Sequence, residues 1–126
     1  MIQLITQGIK VSVETHYEDS FYNNHKRQYA FSYIITIENQ SEYPVQLTSR
    51  YWMIKDALNA TEIVEGDGVI GEQPIIDPGE QHTYNSGCLL ISPIGSMQGY
   101  YNMLTPTRKI KVGIPLFKLS APFALN

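Results

Sequence analysis

Alternation with a period of two runs through most of this chain. In Ile9-Lys10-Val11-Ser12-Val13-Glu14-Thr15-His16-Tyr17 the odd positions are apolar or β-branched and the even ones polar, the pattern of a half-buried strand. Tyr29, Phe31, Tyr33, Ile35 and Ile37 repeat it over a longer segment, with Ser32, Thr36 and Glu38 on the opposite face. Between the two, residues 19–25 read as a polar hairpin loop longer than a tight turn. Pro44 leads into a third run, residues 45–54, whose alternation blurs near Arg50 and predicts a bulge there that re-aims Tyr51 and Trp52. Further strands are expected around 62–65, 81–91, 95–103 and 108–116; in the last, Ile110, Val112, Ile114 and Leu116 fall on one face. No stretch carries the i, i+3, i+4, i+7 apolar spacing of an amphipathic helix. A succession of short strands divided by turn signals predicts an all-β fold, an antiparallel β-sandwich, with a closed barrel as the alternative. Pro44 and Pro115 suit strand starts and sheet edges, which a sandwich has and a closed barrel lacks.

One segment stands apart. Gly66-Asp67-Gly68-Val69-Ile70-Gly71 has the glycine spacing of a dinucleotide-binding loop. In that fingerprint the last glycine opens a helix whose N-terminal amides hold a pyrophosphate. Here Glu72-Gln73 run straight into Pro74, and the turn signal Asp77-Pro78-Gly79 follows, so no helix fits. Backbone roles are therefore expected first: positive φ at Gly66 and Gly68, and close passage of a strand at Gly71. The ligand chemistry open to this segment is an anion nest of backbone amides. It would place a nucleotide or pyrophosphate at Gly66, Gly68, Gly71, Glu72 and Gln73, although no Lys-Ser or Lys-Thr follows as in a phosphate loop.

With 126 residues and 14.3 kDa, the chain is expected to form one domain, 1–126. Charged residues make up 17%, below the ~25% usual for soluble domains; so light a charge favours a buried contact such as a homodimer, although a sandwich with polar outer faces explains it as well. The net charge of −3 argues against nucleic acid as a partner. Residues 56–107 hold seven acids and no Lys or Arg, whereas Arg108, Lys109, Lys111 and Lys118 close the chain without an acid. Glu65, Asp67 and Glu72 could hold a divalent cation such as magnesium, but a solvated acidic rim accounts for them more simply. Cys88 is the only cysteine and reads as a small buried hydrophobe. His16, His25 and His82 lack ligand spacing. In Gly95-Ser96-Met97-Gln98-Gly99 the serine occupies the wrong position for a nucleophile elbow. No catalytic residue, metal site or cofactor is assigned. The N-terminal residues do not resemble a signal peptide, and no apolar run approaches the ~20 residues that span a bilayer. A cytoplasmic location without membrane contact is the expectation.

Partner binding has more to draw on. Arg50, Tyr51 and Trp52 form an aromatic and cationic cluster of the kind enriched at interface hot spots. Tyr100 and Tyr101 are adjacent, so one of them must face outward from its strand; Tyr101 is taken with Arg50, Tyr51 and Trp52 as a protein-contact candidate. Exposed sandwich edges offer strand addition to a partner or a second copy.

Four ordered motifs, Gly66-x-Gly68-Val69-Ile70-Gly71-Glu72-Gln73-Pro74, Pro78-Gly79-Glu80, Tyr84-x-Ser86-Gly87-Cys88 and Pro93-x-Gly95-x-Met97-x-Gly99-x-Tyr101-x-Met103, resemble the bacterial ApaG family. Thr48-Ser49-Arg50-Tyr51-Trp52 and Ile114-Pro115-Leu116-Phe117-x-Leu119-Ser120-Ala121-Pro122 extend the resemblance over nearly the whole chain. Ile70 stands where the family often has valine. The resemblance implies an immunoglobulin-like or fibronectin type III-like sandwich. It also implies an association with diadenosine polyphosphate metabolism and with cobalt and magnesium resistance. Related domains appended to eukaryotic F-box and polymerase-interacting proteins suggest partner recognition. Together these observations predict a non-enzymatic, cytoplasmic protein-binding module. The alternative is a sensor of a nucleotide, pyrophosphate or divalent cation.

Overall fold

The computed structural model describes residues 1–57 and 59–125. Among these described residues nine strands run in chain order: β1 Ile2–Thr6, β2 Ile9–Asn23, β3 Lys26–Asn39, β4 Val45–Asp56, β5 Glu62–Asp67, β6 Ile75–Ile76, β7 Gln81–Leu90, β8 Ile94–Leu104 and β9 Lys109–Ser120. A 3₁₀ turn, Pro122–Leu125, follows β9. One antiparallel sheet has the order β1-β2-β3-β7; the other has β5-β4-β8-β9, with the short β6 also on β4. The two sheets pack face to face as a sandwich.

The alternating residues fill the space between the sheets. Ile9, Val11 and Val13 of β2 and Tyr29, Phe31, Tyr33, Ile35 and Ile37 of β3 are buried, opposite Leu47, Trp52, Met97, Tyr101, Met103 and Val112 of the other sheet. At the centre the rings of Tyr33, Trp52 and Phe117 lie 5.6–5.8 Å apart in tilted and edge-on arrangements, the geometry aromatic rings prefer over face-to-face stacking.

Two local expectations are corrected. Residues 19–25 are strand almost throughout: β2 and β3 remain paired out to Asn23↔Lys26. Only Asn24 and His25 turn, with φ of 51° and 64°, a two-residue hairpin of the primed type, whose twist matches that of the strands. In β9, Leu116 does not continue the inner face. Met97 pairs with Phe117 but Gly99 with Ile114, so β9 carries an extra residue at Pro115-Leu116. This bulge switches faces: Leu116 is exposed, while Phe117 and Leu119 are buried. Proline suits such a place because it has no N–H to give the ladder.

Candidate functional site

β5 and β6 run antiparallel to the same edge of β4, with Ser49↔Asp67 and Gln46↔Ile75 as the flanking pairs. Residues 68–74 are therefore an excursion from an otherwise continuous edge. β4 itself bulges opposite them: Leu47 pairs with Met103 and Ser49 with Asn102, leaving Thr48 unmatched. The Thr48 carbonyl accepts the Gly68 N–H at 2.8 Å and the Gln73 side-chain amide at 3.1 Å. Leu47 N–H donates to the Pro74 carbonyl at 3.0 Å. Each irregularity thus satisfies the polar groups the other leaves free.

The expected bulge exists, two residues earlier than Arg50. Because a bulge shifts the alternation by one, Arg50 and Trp52 point between the sheets and Tyr51 points outward. Trp52 is 3% exposed and packs on Tyr33 and Phe117; Tyr101 is 0% exposed. Neither can meet a partner, which corrects the expectation for both. Tyr100, not Tyr101, is the outward ring of its pair.

Within the excursion, Val69 and Glu72 exchange two backbone hydrogen bonds of 2.8 and 3.0 Å around Ile70 and Gly71, whose φ values are 47° and 74°. This is another primed two-residue turn. Val69 is buried and plugs the sandwich edge, while Ile70 is exposed. Gly68 has a φ of 61°, and a Cβ there would overlap the Glu72 carbonyl. The glycine roles thus differ from expectation: Gly71 has the positive φ, and Gly66 makes the close approach. A Cβ on Gly66 would lie 2.8 Å from both terminal nitrogens of Arg50. The amides of Gly68, Val69 and Glu72 already donate within the protein, so they are not free to cradle a phosphate.

Beneath Gly66 the Arg50 guanidinium donates through Nη1 to the carbonyls of Asp67 at 3.0 Å and Gly68 at 2.8 Å. No carboxylate lies within 4 Å of it among the described residues, and Nη2 and Nε donate to nothing there. Arg50, Tyr33, Trp52, Tyr84 and Ser86 line a cavity of about 210 Å³ together with Asp67 and residues 69–71. Burial pushes the Tyr33 phenol above its ordinary value, against the smaller pull of the Ser86 hydroxyl and the Arg50 charge. Tyr84 is raised further, again chiefly by burial, and its phenol oxygen meets that of Tyr101 at 2.5 Å. The cavity therefore presents one fixed cation beside neutral hydroxyls.

On the opposite face of the same sheet, the rings of Tyr51 and Tyr100 stack with centroids 4.9 Å apart and planes 9° from parallel. Lys111 Nζ sits 4.7 Å over the Tyr100 ring. Glu65 and Asp67, paired with Tyr51 and Ser49, flank the stack on β5; the basic residues of β9 lie beyond β8, on the far edge from the glycine loop. Glu72 approaches His82 at 4.0 Å, and Asp56 accepts hydrogen bonds from the Ile91 N–H at 2.7 Å and from the Ser92 hydroxyl. Among the described residues no three His, Cys, Asp or Glu side chains come together to hold a metal ion.

Of the predicted residues, the fold brings Arg50, Gly66, Gly68 and Gly71 to one place and sets Tyr51 on the other side of the sheet. Tyr33, Tyr84, Ser86 and Lys111 are not among the residues the sequence singles out, and Tyr100 is named there only as one of two neighbours of which one faces outward. The first three carry a faint signal: Tyr84 and Ser86 share a strand face, and Tyr33 pairs with Ser86.

Residues 19–105, which span the loop, Arg50 and both stacked tyrosines, match the family model of the ApaG domain. The chain belongs to the ApaG family. It is 45% identical over 119 residues to protein ApaG of Pseudomonas aeruginosa, covering 94% of each chain. Protein ApaG of Vibrio cholerae is 44% identical with the same coverage. In structure it is similar to an ApaA protein from Bordetella pertussis, with a TM-score of 0.84 and 37% identity over 90% of this chain and 94% of that one.

Proposed function

We propose that this ApaG-family chain is a cytoplasmic, non-enzymatic recognition module of the immunoglobulin and fibronectin type III kind. It binds another protein through the outward face of the β5-β4-β8-β9 sheet. The observation that carries this reading is the Tyr51–Tyr100 stack. Tyrosine supplies a large, amphipathic contact at a low entropic cost, and these two rings already hold each other in place, so less ordering remains to be done on binding. Acids on β5 and lysines on β9 flank the stack from opposite edges, a charge asymmetry that would fix a partner's orientation.

The alternative, a nucleotide, pyrophosphate or divalent-cation sensor at Gly66, Gly68, Gly71, Glu72 and Gln73, has less support. Three of the loop amides and the Gln73 side chain are spent inside the protein. A photocrosslinking side chain at position 100 tests the preferred reading in cells, with position 36 on the outer face of the other sheet as the control. A specific adduct at 100 and none at 36 is expected. Equal labelling at both positions, or labelling at 36 alone, contradicts the assignment.

A further inference from the structure

We infer that the cavity between the sheets binds one carboxylate group, held on the free edge of the Arg50 guanidinium. A partly buried charge is ordinarily paired, yet among the described residues Arg50 meets only two carbonyl oxygens, both through Nη1. Nη2 and Nε remain, and together they form the planar fork that accepts a carboxylate in bidentate fashion. Tyr33 and Ser86 line the same space, and their paired hydroxyls leave one proton to donate to a remaining lone pair. The Tyr33 phenol, neutral at pH 7 even at its ordinary value of 10.0 and pushed higher by burial, brings no competing charge.

Size and charge select the ligand. The cavity's volume of about 210 Å³ lies below the roughly 300–1,000 Å³ of sites that enclose a whole small molecule. It suits a single anionic group, not a nucleoside. Among the described residues Arg50 is the one cation lining it. A dianionic phosphate would meet a single unit of compensation, whereas a monoanionic carboxylate is matched. Trp52 and Val69, both buried apolar walls, keep water from screening the pair. This site lies on the inner side of β4 and the tyrosine stack on the outer side, so the two proposals stand or fall separately.

The carboxylate could come from a small free acid or from the end of a peptide chain. An NMR titration of the full ¹⁵N-labelled chain separates them, read at Arg50 Nε–H and the Gly71 amide. The probes are acetate, a short N-acetylated peptide with a free C-terminus, the same peptide amidated, and inorganic phosphate. Saturable shifts with acetate assign the free acid; shifts with the free-ended peptide alone assign a chain terminus. In either case Arg50→Gln should weaken binding about tenfold or more, which is ~1.4 kcal/mol, and Ser86→Ala should weaken it several-fold. If Arg50→Gln does not fold, Ser86→Ala and Tyr33→Phe decide. The proposal is overturned if neither carboxylate saturates, if the variants bind as tightly as the parent, or if phosphate binds more tightly than the carboxylates.

Discussion

The phenol oxygens of Tyr84 on β7 and Tyr101 on β8 meet at 2.5 Å, joining the two sheets through the core. Tyr101 is 0% exposed, so without Tyr84 its hydroxyl would lose this partner in a place water does not reach. Tyr84→Phe should therefore cost about 1–3 kcal/mol. Adding Tyr101→Phe should recover part of the loss, because two apolar rings leave nothing unsatisfied. Urea denaturation of both single variants and the double gives the coupling directly. Strictly additive losses would mean that the bond contributes nothing.

The same pair sets an alkaline limit. Burial raises the phenols of Tyr33, Tyr84 and Tyr101 above the ordinary value of 10.0. Near that ordinary value the unfolded chain releases these protons while the folded chain keeps them. The unfolded state then binds fewer protons, so stability falls with rising pH above about pH 9–10 and these groups contribute no slope below it. Tyr101→Phe should make the decline shallower. Stability measured by urea titration from neutral pH upward checks both the onset and the slope.

Cys88 should be slow to react. Burial, helped by the charges of Glu62 and Asp56, pushes its thiol from 9.0 up to about 11. Two units correspond to about a hundredfold less thiolate at pH 8, and the thiolate is the reactive form. Iodoacetamide should alkylate the folded protein at least that much more slowly than the unfolded protein. Equal rates would place the thiol in an ordinary aqueous setting.

The glycine loop gives an ordered series. Ile70 is β-branched yet has a φ of 47°, a conformation that asparagine accepts far better at the first position of a primed turn. Ile70→Asn should stabilise the fold by about 0.5–1 kcal/mol. Gly66→Ala meets only the movable end of Arg50, whereas Gly68→Ala meets the Glu72 backbone at positive φ. Thermal denaturation should rank Gly68→Ala as much the more damaging of the two.

How far the sequence carried follows from one physical fact: alternation is readable only until a residue is inserted. β2 and β3 alternate without interruption across Ile9–Val13 and Tyr29–Ile37, and both faces were assigned correctly there. In β4 the extra residue is Thr48, and in β9 it lies at Pro115-Leu116. Beyond each, every side chain changes sides. That is why Trp52 reads as a contact residue and Leu116 as an inner one. Tyr101 is a different case: β8 alternates without a break through Met97, Tyr101 and Met103, which already turns Tyr101 inward and Tyr100 outward. The family motifs located the glycine loop without revealing its task. The loop's hydrogen bonds go to Thr48 and Arg50, residues distant in sequence whose proximity depends on strand pairing that no local pattern encodes.

The contact surface proposed for this protein is the pair of stacked tyrosines. It is tested most directly by the dissociation constant of the crosslinked partner, measured with the parent chain and with Tyr51→Ala/Tyr100→Ala after circular dichroism confirms the fold. A loss of at least ~2 kcal/mol, about thirtyfold in affinity, is predicted. Unchanged affinity in the folded double variant would contradict it.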